Sequence, residues 1–340
     1  MEDKTKDSDL SSRKQDHIAL AFKADMAHLG QDDRFYYEPM LSGHPGEVNL
    51  SLSFLGKKIN APIWVSSMTG GTEKAQTINH RLATACAKFG LGMGLGSCRA
   101  LLTSQARLAD FNIRPIIGPD LPFYANLGIA QVEQLLRDKE ADRIQKLIDL
   151  LKADGLIVHV NPLQEWLQPE GDRISRPPIE IIQQLVSTVT FPVIVKEVGQ
   201  GMGPGSINAL LQLPIAAFEL AAHGGTNFAK LELLRSDERA RDTNESLSHV
   251  GHTAFEMVTW ITDMIHSGKT TIKCREFILS GGIKDFLDCY YLIRKMQQPS
   301  VYGMASQFLK YATESQEALD AFVTAQIKGL QLAQAYLQVK

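Results

Sequence analysis

The sequence predicts a (β/α)8 TIM barrel with an N-terminal extension. Three observations carry this. Eight short apolar runs alternate with helical patterns, the length of 340 residues suits such a barrel, and nearly every run ends in polar residues or glycine. A doubly wound open sheet is the competing arrangement, and it wants a GxGxxG turn after its first strand. Here that strand ends in Ser66-Ser67-Met68-Thr69-Gly70-Gly71, which does not match.

In chain order, residues 1–12 read as a disordered polar tail, 13–60 as an extension ahead of the first strand, and 61–340 as the barrel with a C-terminal helix. The strand-like runs are APIWVSS (61–67), LGMGLGS (91–97), PFYANLG (122–128), GLIVHV (155–160), PVIVKE (192–197), IAAFELAA (215–222), FILSGG (277–282) and SVYGMA (300–305). The first helix spans 72–89, with Thr72 as N-cap, Ile78, Leu82, Ala85 and Phe89 at helical spacing, and Gly90 as the stop. Further helical patterns cover 133–151, 178–189, 249–265, 284–297 and 314–337.

Composition narrows the function. With 44% hydrophobic residues the chain can bury a sizeable core. Net charge is −3, from 38 acidic and 35 basic residues, and no long basic block offers a nucleic-acid or membrane-surface footprint. Cys86, Cys98, Cys274 and Cys289 form no CxxC pair and read as free thiols in a reducing compartment. The opening MEDKTKDSDLSSRKQD has no apolar signal region, and no apolar run approaches the roughly 20 residues of a membrane span. The longest candidate, 213–222, contains Glu219. A soluble, cytoplasmic protein is expected.

Chemistry in a barrel sits at the C-terminal ends of its strands. Here those ends carry Ser67 and Thr69, Ser97 and Arg99, Asn126, His159 and Asn161, Lys196 and Glu197, His223, Thr226 and Asn227, Gly281 and Gly282, and Ala305 and Ser306. The glycine pairs of MTGGT, HGGTN and LSGGIK let backbone amides approach an anion, and two of them lie on the last three strands, where barrels often hold a phosphate. Taken singly, each is an ordinary turn. Lys196 directly follows a buried strand; it can form a Schiff base, pair with Glu197, or sit against an anionic or electron-rich ring. Glu165 is a candidate Mg²⁺ ligand, and His159, Asn161 and Gln164 are candidate donors to an anion. The alternative is a polar loop that caps itself, with Asn161-Pro162 and Gln168-Pro169-Glu170-Gly171 supplying turn chemistry.

These stretches resemble type 2 isopentenyl diphosphate isomerases, the FMN-dependent form. SRKQDHI (12–18), SSMTGG (66–71), GLGSCRA (94–100), HVNPLQEWLQPEGD (159–172), PVIVKEVGQGM (192–202), HGGTNFAKLELLR (223–235), SGGIK (280–284) and FLK (308–310) follow in that order. HxNxxQExxxPEGD followed by PVIVKEVGxGM is far more specific than any glycine pair. The resemblance implies interconversion of isopentenyl and dimethylallyl diphosphate, using reduced FMN as the acid/base cofactor, Mg²⁺, and NADPH as a reductant. It also implies a homo-oligomer, a tetramer or octamer. On this reading Ser67, Met68, Thr69, Ser97, Asn126, Lys196, Thr226, Gly281, Gly282, Lys284, Ala305 and Ser306 contact the flavin. Arg13, Lys14, Arg99, His159, Asn161 and Gln164 contact the substrate, with Arg13 and Lys14 on an arm of the extension that orders on substrate binding. Gln164 is also the catalytic residue that orients the allylic end or relays a proton, and Glu165 binds Mg²⁺.

The sequence departs from the family pattern at three places. Cys98 stands where Gln is usual, Lys284 stands where Arg is commoner, and 284–306 lacks the small-residue run expected before the last strand. Weaker FMN retention is the expected consequence. A different FMN barrel such as a 2-hydroxy acid oxidase would want a catalytic His near the seventh strand, and FILSGGIK has none. A flavin-binding paralogue without turnover is the non-enzyme alternative.

Overall fold

The computed structural model describes residues 3–24 (side chains from residue 12), 30–46, 48–66 and 72–340. Eight parallel strands close into a barrel: β1 (Ile63–Val65), β2 (Gly92–Gly94), β3 (Phe123–Gly128), β4 (Gly155–His159), β5 (Val193–Lys196), β6 (Ala217–Glu219), β7 (Phe277–Ser280) and β8 (Ser300–Met304). Each pairs with its sequence neighbour, and β8 returns to β1 through Tyr302–Ile63, Gly303–Trp64 and Met304–Val65. All eight lie in the apolar runs of the sequence.

Strand periodicity places the site. Trp64, Tyr124, Ile157, Ile194, Ala217, Ile278 and Val301 form one buried cluster inside the barrel. Alternate strand residues face the same side, so the residues two positions further on face inward one layer higher. Those residues are Ser66, Asn126, His159, Lys196, Glu219, Ser280 and Gly303. The barrel is therefore apolar in its lower layer and polar in the layer that opens toward the strand ends. His159 interrupts the run GLIVHV because it is the inward-facing residue of that upper layer. The outward residues, among them Val65, Phe123, Leu156, Val195, Phe218, Phe277 and Tyr302, pack in the larger core beneath the helices.

An antiparallel hairpin, Leu52–Phe54 with Lys57–Ile59, supplies Phe54 and Ile59 to the lower layer, and the Phe54 ring meets Trp64 edge-on at 6.1 Å. Beyond the barrel, Phe35–Tyr37 pairs with Leu337–Val339, so extension and C-terminus are stitched together. The C-terminal helix is Gln316–Tyr336 and ends in that strand, which the helical pattern of 314–337 does not foretell. The pattern over 133–151 is two helices, Ile129–Arg137 and Asp142–Leu151. Where a disordered tail over 1–12 is expected, Asp3–Leu20 is helical, and its described side chains are exposed. Among the described residues no helix is long and apolar enough to cross a membrane.

Candidate active site

The loop after β4 opens the short helix Pro162–Leu167, where Pro162 occupies the first turn and its missing N–H costs nothing. Asn161 at the N-cap turns its amide inward instead of capping: Nδ2 donates to Gln164 Oε1 at 3.1 Å and to Glu165 Oε1 at 3.0 Å. Glu165 Oε2 accepts from the Asp172 amide at 2.7 Å. The loop does cap itself, as its turn residues suggest, and in doing so it fixes Gln164 and Glu165 in place. Asn161 Oδ1 is buried without a hydrogen-bond partner among the described residues.

The network extends over the segments that follow four strands, β2, β3, β4 and β6. Asp172 receives Arg99 at 2.6 and 3.4 Å and Gln131 Nε2 at 2.7 Å. Gln164 Nε2 donates to Glu232 Oε1 at 3.3 Å, and Glu232 Oε2 takes Arg235, which also bonds Glu170 at 2.8 Å. Glu232, Gln131 and Arg235 are participants that the sequence reading did not single out, whereas Glu170 and Asp172 stood in the motif HVNPLQEWLQPEGD without an assigned role. Their partners lie on loops from different strands, so no local spacing announces them.

His159 sits one layer below this network. Its Nδ1 is 2.7 Å from Asn126 Oδ1, while Asn126 Nδ2 donates to Leu95 O at 2.9 Å. The second bond fixes the amide orientation, so the histidine carries its proton on Nδ1 and leaves Nε2 as an acceptor. Burial, and then the Lys196 charge, push the ring down to about 3, so it is neutral near pH 7.

Lys196, 7% exposed, donates to the backbone carbonyl of Glu197 at 2.6 Å, so the side-chain pairing with Glu197 is replaced by a main-chain contact. The Glu197 carboxylate instead accepts the amides of Gly199, Gln200 and Gly201 at 2.6, 2.6 and 3.0 Å. Burial raises its pKa against the lowering effect of those amides and of Lys196. Cys98 is fully buried, its amide bonded to Asn126 O at 2.7 Å, and burial pushes its thiol up to about 12. It is therefore a packing residue and not a thiolate. The four cysteines are all free and buried.

A cleft at the ends of β5 to β8 is lined by Lys196, Thr226, Gly281, Gly282, Ala305 and Ser306, bringing six of the expected flavin contacts together. The two glycine pairs pack backbone on backbone: a Cβ at Gly224 or Gly225 would approach Gly282 to 3.1 Å. Helix Ser306–Glu314 begins at Ala305 without a side-chain cap, so its first amides are available to an anion beside that glycine cradle. Asn126 is buried on β3, and Ser97 is exposed after β2. Lys284 lines the neighbouring cavity with Arg34, His223 and Asp288. Arg13 and Lys14 lie exposed on helix Asp3–Leu20. Ser67, Met68 and Thr69 fall outside the described residues. No group of three His, Cys, Asp or Glu side chains suited to a metal occurs among the described residues.

The polar layer at the mouth of an otherwise apolar barrel defines a (β/α)8-barrel enzyme. No family model matches the chain. Among solved structures it is similar to a mandelate oxidase variant carrying a monooxide FMN adduct, with TM-score 0.56 and 12% identity, covering 91% of this chain and 88% of that one. It is also similar to the flavin-binding domain of baker's yeast flavocytochrome b2, with TM-score 0.60 and 12% identity, covering 89% and 72%. At such identity these likenesses concern the fold. Sequence relatives are closer. Isopentenyl-diphosphate delta-isomerase of Rickettsia felis is 35% identical over 327 residues, 94% of this chain and 90% of the relative. That of Rickettsia africae is 34% identical over 332 residues, 96% and 94%. The chain belongs to the isopentenyl-diphosphate delta-isomerase family, as its type 2 motifs indicate, and it is an isomerase.

Proposed function

We propose that this chain interconverts isopentenyl and dimethylallyl diphosphate at the barrel mouth, with reduced FMN in the cleft of β5–β8 and Mg²⁺ at Glu165. The observation that carries the reading is the held triplet Asn161, Gln164 and Glu165 above neutral His159, in a chain whose relatives are isomerases. The cleft fits a phosphorylated flavin: the glycine cradle and the uncapped helix start suit a phosphate, and Lys196 suits an electron-rich ring. When bound and reduced, FMN would supply the proton donor and acceptor for the allylic shift.

Shifting the double bond adds a proton at C4 and removes one at C2. The hydrocarbon end has no polar handle, so binding energy must come from the diphosphate. Arg99, with Arg13 and Lys14 brought in by the extension, supplies charge, and Asn161 contacts the group through Nδ2, the only donor of its amide, which otherwise bonds Gln164 Oε1 and Glu165 Oε1. His159 offers Nε2 as an acceptor and becomes a donor only when a bound anion draws a second proton onto the ring. Gln164 is neutral and no strong base. It orients the allylic end, and its bond to Glu232 puts a carboxylate at the far end of any proton relay. Glu165 fits Mg²⁺ as one oxygen ligand among waters and phosphate oxygens, which is how this ion usually binds. NADPH is the proposed reductant and a homo-oligomer the proposed assembly.

The test is incubation of the purified protein with isopentenyl diphosphate, FMN and Mg²⁺ under anaerobic conditions, with and without NADPH. Dimethylallyl diphosphate formed only when the flavin is reduced supports the reading. Oxidation of a 2-hydroxy acid with no isomerisation would replace it by the oxidase alternative.

A further inference from the structure

Glu219 closes β6 with its side chain inside the barrel and is 1% exposed. One oxygen is heavily held: Oε1 accepts the Ser66 hydroxyl at 2.7 Å and the Ser280 hydroxyl at 3.1 Å. Ser280 Oγ in turn accepts the Ala221 amide at 3.0 Å, leaving its O–H to donate to Glu219. The other oxygen, Oε2, has no hydrogen-bond partner among the described residues. The space is shaped for this arrangement. A Cβ at Gly303 would meet Ser66 Oγ at 2.4 Å and Ser280 Cβ at 3.0 Å. Three strands thus contribute two hydroxyls and a glycine to hold a carboxylate whose second oxygen is left free.

Its neighbour explains the arrangement. Lys196 and Glu219 are partners in the β5–β6 register, both line the cleft, and no ion pair joins them, since Lys196 is turned to the Glu197 carbonyl. The other titratable groups near them are neutral or engaged. His159 on β4 is uncharged, the Glu197 carboxylate faces the Gly199–Gly201 amides, and β1, β3, β7 and β8 present Ser66, Asn126, Ser280 and Gly303. Lys196 and Glu219 are the charges of the cleft floor.

We infer that Glu219 is a positioning residue that balances Lys196 beneath the flavin and so keeps the reduced flavin in its neutral, fully protonated form. The inference rests on the flavin reading of the cleft. A lysine alone beneath the ring would stabilise the anion formed when reduced flavin loses a proton. The adjacent carboxylate opposes that loss, and the proton stays available to the alkene.

The experiment uses FMN-loaded full-length protein, photoreduced without oxygen and titrated by absorbance, with the midpoint potential measured at pH 8. Glu219→Gln is expected to lower the pH of reduced-flavin deprotonation by about one unit. It should also shift the two-electron equilibrium about tenfold toward reduction, or roughly 30 mV. Glu219→Asp should stay near wild type, and FMN affinity should change only a few-fold. Weakened FMN binding with an unmoved titration would make Glu219 a structural tie and overturn the inference, as would a Gln variant that loads FMN and titrates like wild type. Should Glu219→Gln not fold, Ser280→Ala reads the same charge with opposite sign. Removing one O–H from the carboxylate should move deprotonation to higher pH, and no movement overturns the inference. Failure of the wild-type protein to bind FMN would instead defeat the flavin reading itself.

Discussion

His159 shows how a residue's surroundings set its chemistry. Its ordinary pKa is 6.5, and burial with Lys196 nearby lowers it to about 3 in the folded chain. Below about pH 6.5 the unfolded chain takes up a proton that the native one refuses, so this group's contribution to stability is present above that pH and is lost on the way to 3. Wild type is expected to lose about 1–2 kcal/mol more unfolding free energy than His159→Gln between about pH 6.5 and 4.5. Equal losses in urea titrations would place the ring's pKa near its ordinary value. Glu165 makes a second prediction. Glu165→Gln should raise the Mg²⁺ concentration for half-maximal turnover at least about tenfold, the loss that removing even an outer-shell partner of a metal ligand produces, while FMN loading stays unchanged. Unaltered Mg²⁺ dependence would remove Glu165 from the metal site. The candidate residues of the β4 loop were legible because amides and carboxylates crowd the end of an apolar run. Glu219 was not, although it is visible in the sequence: a lone charge in an apolar run reads first as a break in hydrophobicity, and only the barrel's inward register reveals where it points.

At the scale of elements, the strands were legible because parallel barrel strands are buried on both faces and read as near-continuous apolar runs. The helix over 73–89 was legible from its ends: Thr72 caps the Ala75 amide at 3.2 Å, and Gly90 takes the left-handed φ of 68° that stops it. The break between Ile129–Arg137 and Asp142–Leu151 was not, since the left-handed turn there falls on Lys139 (φ 60°), a residue type that gives no such signal. The strand Leu337–Val339 needs a partner some three hundred residues earlier in the chain, and helical periodicity cannot encode that. Gly303 belongs to this scale because it lets β8 lie against β7 and β1: an added methyl would meet Ser66 Oγ at 2.4 Å and Ile278 Cγ2 at 2.8 Å. Gly303→Ala should cost about 1–3 kcal/mol as overpacking. A urea midpoint equal to wild type would show that the layer yields without strain.

For the whole molecule, fold class and family were both legible, because the pattern of runs and the order of motifs extend over nearly the full chain. The network from Arg99 through Asp172, Glu165 and Gln164 to Glu232 was not, because closing the barrel is what brings those loops together. The N-terminal segment tests the division between scaffold and arm. Helix Asp3–Leu20 is exposed along its described side chains, so deleting residues 1–15 should leave the melting temperature within about 1 °C, less than the roughly 1.4 °C that a 1 kcal/mol change would produce in a domain this large. Turnover should be lost. A truncated enzyme with normal KM would show that Arg13 and Lys14 take no part in binding the diphosphate.

The most direct test of the proposed chemistry is an anaerobic turnover in deuterated water with FMN, Mg²⁺ and isopentenyl diphosphate. Dimethylallyl diphosphate carrying deuterium in a methyl group, and formed only when the flavin is reduced, is the predicted result. Product free of deuterium, or formed equally with oxidised flavin, would contradict a proton rearrangement that depends on the reduced cofactor.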